Sequence, residues 1–585
     1  MPEPERRLAF PVFRPPLLAL AAGLLLGLVA PTGRSCRADG QPPPPPAETL
    51  PPETPDDPPG KPAQPVPGAM AAAAVSFGRF TNIQVNVAAG GANIPGDAAN
   101  EPSIAVDPTN YTRKAIGWRQ FDTISSNFRE AGYAYTSNGG AAWTKGEIES
   151  GTFRSDPVLG FDAAGKFYYN SLAQPGAFET RVFPSTDGGM TWGASAFAYG
   201  GDKQWMTIDR TGGQGNGNIY QAWSTASNPT PGNTFDRSID GGATFHSPTS
   251  IPSSPIWGTL DVGPDGTLYL CGTSGPGGTI YVSRSLNAKN PAVTPTFTTA
   301  TVNLGGTIQM GGPNPAGLLG QLWIGVDRSA GPRSGWVYVM ASVKTATDPL
   351  DVMFIRSTDG GLTWSTPVRV NDDPSGNNAW QWFATMSVAP DGRIEAVWND
   401  SRSTGNSSMT ALFYSYSTDG GVTWSANEQA SPVWNSQIGW PNQNKIGDYY
   451  HMISDMSGAD LAWAATFNDE QDVYYLRIPR VPVAAVADPG RAFRLHPVYP
   501  NPFTSFATVE YELPPAGGRV KLEVFDVSGR HVATLVDGVM AGGPRAARWS
   551  GIDDATGRAA APGVYLCRLE APGSPSRTTR FLRLR

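Results

Sequence analysis

The chain has 585 residues, with 68 glycines, 55 prolines, 16% charged residues, a formal net charge of −7 and a pI near 5.3. That length admits more than one core, the composition favours short strands joined by turns, and the acidic balance argues against nucleic acid or an anionic membrane as partner. Cys36, Cys271 and Cys567 lie too far apart for a disulfide framework, and His246, His451, His496 and His531 show no zinc-ligand spacing, so no metal site is expected from them.

Residues 1–38 read as an export signal: Arg6, Arg7 and Arg14 precede the apolar run Leu17 to Ala30, which is short for a membrane span. An N-terminal anchor is the alternative. Arg34 and Ser35 fit a lipoprotein cleavage site before Cys36 poorly. Residues 39–72 are proline-rich, including Pro42 to Pro46, and read as an extended, coreless tether.

Two phrases then repeat across residues 73–483. One is a hairpin turn: Ser185-Thr186-Asp187-Gly188-Gly189-Met190-Thr191-Trp192, with copies centred on Asp240, Asp359 and Asp419 and a weaker one on Asn138. Its Asp accepts hydrogen bonds from the turn, its glycines supply positive φ, and its aromatic residue offers an apolar face. The other is a short apolar strand ending near an acid, as in Ile104-Ala105-Val106-Asp107. It recurs at Asp162, Asp209, Val262, Asp327, Val388 and Asp455, seven times in all. Where both phrases occur, from Asp107 to Asn138, Asp162 to Asp187, Asp209 to Asp240, Asp327 to Asp359 and Ala389 to Asp419, the offset is nearly constant. One unit is therefore an inner strand, two more strands, the Asp turn and an outer strand, which is a propeller blade. The fourth and seventh units lack the turn. The seventh also lacks its fourth strand, and Asn82 to Val87 is predicted to supply it, closing the ring and removing an exposed edge. The predicted fold class is all-β: a seven-bladed propeller, with six blades as the alternative, followed by a small β-sandwich.

The Ser-x-Asp-Gly-Gly-x-Thr-Trp turns resemble the Asp boxes, or bacterial neuraminidase repeats, of sialidase-like propellers. The resemblance implies architecture more than activity, since Asp boxes also occur in binding propellers, and the boxed Asp residues read as structural. After a linker at 484–493, residues 494–585 resemble the immunoglobulin-like sorting domains of type IX secretion cargo and related domains of flagellar hook-cap proteins. The carrying residues are His496 to Phe503, Val520 to Arg530 and Gly563 to Leu569. That resemblance implies a chain secreted or held on the outer surface of a two-membrane bacterium, with the secretion machinery as partner of this domain; an ordinary accessory sandwich is the alternative. Cys567 reads as a buried strand residue.

Propeller ligands meet the face where inner strands begin, so candidate residues lie just before those strands and just after the second ones. A sialidase-like mechanism needs arginines for a carboxylate, an acid/base Asp and a Tyr nucleophile activated by Glu. The catalytic candidates are Arg119 and Arg402 with Arg154, then Asp156 or Asp202, and Tyr449 or Tyr450. Ligand-binding candidates are Glu101, Arg154, Gln204, Gln321, Gln381, Asp400 and Asp448. Glu101 stands where the first arginine would be useful, and the family's opening Arg-Ile-Pro phrase is absent before the first box, so enzyme activity stays open. No cofactor is called for; the acidic excess would suit Ca²⁺, neutral sugars or a two-carboxylate glycosidase. The expected partners are a glycan or a cell-surface protein; the mature chain is expected to be monomeric, without a transmembrane segment. A mouth plugged by Trp205, Trp323, Trp380 and Trp382 would favour binding over hydrolysis. Asp156→Ala and Asp448→Ala are expected at this stage to remove binding and leave folding intact.

Overall fold

The computed structural model describes residues 74–173, 178–224, 229–480, 493–513, 517–540, 543–571 and 576–584. The export signal at 1–38, the proline-rich tether at 39–72 and linker residues 484–492 lie outside them. Every regular element among the described residues is a β-strand. None of them forms a helix long and apolar enough to cross a membrane.

Between residues 74 and 480 the strands form seven antiparallel sheets of three to five strands, with one added two-stranded hairpin at Met310–Gly311 and Asn314–Leu318. Each sheet begins with one of the repeated apolar strands: Ala98–Val106, Ser155–Phe161, Trp205–Ile208, Leu260–Val262, Trp323–Val326, Gln381–Val388 and His451–Asp455. Each of these first strands touches the next, and the seventh returns to the first, so they line a common axis. The strand-end acids act locally. Asp107 Oδ1 accepts from the Thr109 backbone N–H at 2.8 Å and the Thr109 hydroxyl at 2.6 Å, and Asp162, Asp209 and Asp327 hold the same kind of turn.

The Asp turns have the geometry their sequence calls for. Asp359 Oδ1 accepts from Ser357 Oγ at 2.7 Å, Leu362 N at 3.0 Å and Thr363 N at 2.9 Å, and Oδ2 from Thr363 Oγ1 at 2.6 Å. These donors hold the exposed carboxylate well below its usual range. Asp359→Ala is expected to lower stability by about 1–2 kcal/mol, read from the urea midpoint. The boxed tryptophans bridge neighbouring sheets: Trp192 meets Tyr133 of the preceding sheet at 5.8 Å, and Trp424 meets Phe354 at 5.3 Å. The second box glycine lies against the preceding sheet too. At Gly421, φ is 77° and a Cβ would run into the Phe354 ring. The fourth sheet, which lacks the motif, closes its hairpin with a related device: Ser285 Oγ donates to Asn287 Oδ1 at 3.0 Å and accepts from Ala288 N.

The last sheet takes its outer strand from the beginning of the described chain. Phe80–Gln84 pairs with Asp472–Pro479 in the register Asn82↔Leu476, Ile83↔Tyr475, Gln84↔Tyr474, and Val85 N continues to Val473 O. The pairing begins at Asn82, as the sequence indicates; the strand itself starts two residues earlier, where Phe80 pairs with Phe77 and is buried in the core. At this seam Asn86 Nδ2 donates to Asp472 Oδ1 at 2.6 Å, and burial pushes the Asp472 carboxyl up to about 7. The unfolded carboxyl titrates near 3.9. Between about pH 4 and 7 the folded state therefore holds a proton that the unfolded chain has released, so this group's contribution to stability falls as pH rises through that window. Asp472→Asn is expected to flatten that fall by about 2–4 kcal/mol, measured by urea denaturation across the window.

Residues 493–584 form two further antiparallel sheets. One is Arg494–Leu495, Ala507–Leu513 and Gly543–Trp549; the other is His531–Met540, Gly518–Asp526, Gly563–Glu570 and Arg577–Arg583. They share one core, in which Trp549 packs on Phe503, Tyr565 and Phe581, and Cys567 is buried.

Candidate functional site

In five of the seven sheets a strained residue lies near the beginning of the first strand. Glu101, Asp156, Lys203, Trp257 and Phe383 have φ of 52°, 46°, 56°, 60° and 59°, each five positions before the last residue of its inner strand. In the fifth and seventh sheets a positive-φ glycine, Gly320 or Gly447, stands close to the corresponding point. Side chains with positive φ are uncommon, and five at one structural level mark a built feature. The ladders slip at this level in the first, second and sixth sheets. Three of the five, Glu101, Asp156 and Lys203, meet in one network.

Three of them build an ion network with residues of the last sheet. Lys203 Nζ lies 3.0 Å from Asp156 Oδ2, 3.0 Å from Asp448 Oδ2 and 3.4 Å from Asp202 Oδ1. Lys445 Nζ lies 2.8 Å from Asp448 and 3.4 Å from Glu101, which also faces Arg119 at 3.3 Å. Glu101, Arg119, Asp156, Lys203, Lys445 and Asp448 are all buried. Burial pushes the Glu101 carboxyl well above its usual range against the pull of Arg119, whereas Lys203 and Lys445 overcome burial and hold Asp448 below its own. Asp156 and Asp448 share one ammonium, which leaves their oxygens at most about 6 Å apart, near the carboxylate spacing of glycosidases. Yet Lys203 occupies the space between them, where a sugar and water would have to stand.

The network is also roofed. Leu318 of the added hairpin donates its N–H to Asp448 Oδ1 at 2.7 Å, and Asn314 binds Gly447 O and Ile446 N. A Cβ on Gly317 would strike Asn314 and Asp448. Beneath the network, Tyr449 donates to Pro157 O at 2.9 Å and meets Trp205 at 5.2 Å; Trp205 in turn meets Trp323 at 5.2 Å and His451 at 5.3 Å. Trp205 and Trp323 thus plug the axis. Trp382 packs between sheets on Phe383 and Trp434, and Trp380 is half-buried near the hairpin residue Gly312.

The remaining candidates stand apart from this centre. Gln204 donates to the Asp156 carbonyl, and both amide atoms of buried Gln321 are without a protein partner. Arg154 pairs with Glu149 and lies over Phe183. Arg402 binds Asp400, Asp372 and Asp373, and Gln381 joins Asp400 and Asp373. Arg119, Arg154 and Arg402 are therefore engaged with acids of their own or adjoining strands. Burial raises the Tyr449 and Tyr450 phenols far above their usual range, the opposite of what a nucleophile requires. Lys445, Asn314 and Gly317 carry no recognisable motif; the long connection between Val302 and Trp323 is the one trace of the roof in the sequence. Among the described residues one acidic trio, Asp122, Glu130 and Glu147, brings its oxygens within 4.8 Å of one another. Gly151 N–H binds Glu130, and Lys145 binds Glu147 at 2.7 Å.

Residues 415–426 match the BNR/Asp-box repeat. This is the Asp419 turn, whose bonds repeat those of Asp359. No curated protein matches the chain. Similar solved structures include a Dyadobacter fermentans protein of unknown function, with a TM-score of 0.39, 12% identity, and coverage of 68% of this chain and 98% of that one. YCF48 bound to D1 peptide has a TM-score of 0.39, 11% identity and coverage of 70% and 99%. The Trypanosoma rangeli sialidase has a TM-score of 0.33, 10% identity and coverage of 88% and 90%. The Asp-box repeat and the closed ring of sheets give the chain a propeller architecture.

Proposed function

We propose that residues 74–480 are a seven-bladed Asp-box propeller that binds a glycan on the face where its inner strands begin, without hydrolysing it there. The observation that carries this reading is Lys203 lodged between Asp156 and Asp448. Two carboxylates neutralised by a buried ammonium and roofed by a hairpin hold blades together; they do not receive a substrate. The half-buried Trp380 faces Gly312 of the hairpin, whose carbonyl accepts from Gln437, and the half-buried Trp440 donates to Ser436 O; aromatic faces with polar neighbours suit sugar rings. The export signal and the two-sheet C-terminal unit, read as an immunoglobulin-like sorting domain, support delivery to the outer surface of a two-membrane bacterium or beyond it.

The test is a glycan array probed with the mature chain, run beside hydrolysis of fluorogenic sialosides and neutral glycosides. Binding without turnover, weakened at least tenfold by Trp380→Ala or Trp440→Ala, is the expected result. Turnover of a glycoside overturns the non-catalytic reading, silence on the array overturns the glycan, and retention in the cytosolic fraction overturns export.

A further inference from the structure

The axial channel is closed on the hairpin side and open on the other. Where the inner strands end, on the Asp-box face, a cavity of about 370 Å³ leads down to Trp205, Trp323 and His451. One part of its wall is apolar, with Met206, Ile208, Leu260, Ile324, Met386 and Val388 contributing; Thr207, Asp261, Arg328, Ser387 and Asp455 add polar groups.

Two donors in this cavity have no acceptor. Arg210 lies 4.1 Å over the Phe161 ring and, among the described residues, makes no hydrogen bond or ion pair. The nearby Asp261 is already engaged: it pairs with Arg328 at 2.5 Å and accepts from Val262 N and Val326 N. The second donor is His451, which is 8% exposed. Leu159 N–H donates to Ser103 Oγ at 2.8 Å, so the Ser103 hydroxyl hydrogen turns to His451 Nδ1, 2.8 Å away, and Ile104 N–H also points at Nδ1. Nδ1 therefore accepts, and the ring's proton sits on Nε2, which has no protein partner. Burial and the neighbouring Arg210 push this imidazole down to about 3, and burial with Arg328 pushes Arg210 down to about 10.

We propose that this cavity binds a small organic carboxylate with an apolar body, its carboxylate held by Arg210 and the Nε2–H of His451 and its body against Trp205, Trp323 and Met386. A guanidinium without an ion pair and an imidazole N–H facing one cavity match one end of such a molecule, and the apolar part of the wall matches the other. The site lies on the face opposite Lys203 and is independent of the glycan reading.

The test is titration calorimetry of the full chain with 3-phenylpropionate, octanoate and the uncharged isostere 3-phenylpropionamide. At least one acid is expected to bind, with the amide at least tenfold weaker. Arg210→Gln is expected to weaken the acid at least tenfold and to lower the denaturation midpoint only slightly, since among the described residues Arg210 has its contact with the Phe161 ring but no hydrogen bond or ion pair. Val388→Trp, which adds bulk to the apolar part of the wall, is expected to abolish binding. Equal binding of amide and acid, no binding of either acid at millimolar concentration, or unchanged affinity in either variant overturns the proposal.

Discussion

Replacing Lys203 by methionine is expected to destabilise the propeller by about 3–5 kcal/mol, the usual effect of removing one member of a buried ion pair. Methionine matches the length of the lysine stem, so packing is largely kept. What is lost is the charge that faces Asp156, Asp202 and Asp448 together. Asp156 and Asp448 are buried and have no water to replace it. Asp448→Ala should be comparably severe, because it also takes from Lys445 the nearer of its two acids and from the Leu318 N–H its acceptor. This reverses the expectation, drawn from sequence, that alanine at Asp156 or Asp448 would spare folding. Urea denaturation of the three variants decides the matter: midpoints unchanged from the parent chain would mean that the network is dispensable and that its residues are free for another role.

Deleting residues 74–87 is expected to abolish cooperative folding of the propeller. The segment supplies the outer strand of the last sheet and buries Phe80, Val85 and Val87. Those three side chains alone represent about 5–9 kcal/mol of burial, comparable with the whole stability of a typical domain. The deletion also exposes the edge of Asp472–Pro479, an invitation to pair with another chain. Gel filtration should show oligomers and denaturation should show no sharp transition. A monomeric truncated chain with the parent midpoint would mean that the ring closes without this strand.

Most of the architecture was legible because its signals are local. The Ser, Asp, Gly and Thr of each Asp turn bond one another within a few residues, so their chemistry can be read in the sequence and is found in the structure at Asp187, Asp240, Asp359 and Asp419. The strand-end acids are equally local, as Asp107 shows. The outer strand at Asn82 was legible for another reason: the seventh unit lacked a strand, and one unassigned apolar segment remained to supply it.

The candidate site was legible only as a set of residues at one level. The strand periodicity placed Glu101, Asp156, Lys203 and Asp448 at matching points of their units, but not which neutralises which. That depends on how blades approach across the axis and on the positive φ of three of these residues, which no local motif announces. The roof of Met310–Leu318 and the channel opening beside Arg210 are of the same kind, since both depend on contacts between distant segments. Strands, turns, repeat and closure could be read along the chain, because each follows from bonds between near neighbours or from strand count. The pairing of the axial acids with buried cations, and the place of Arg210 at the other end without an ion pair among the described residues, depend on how distant segments meet.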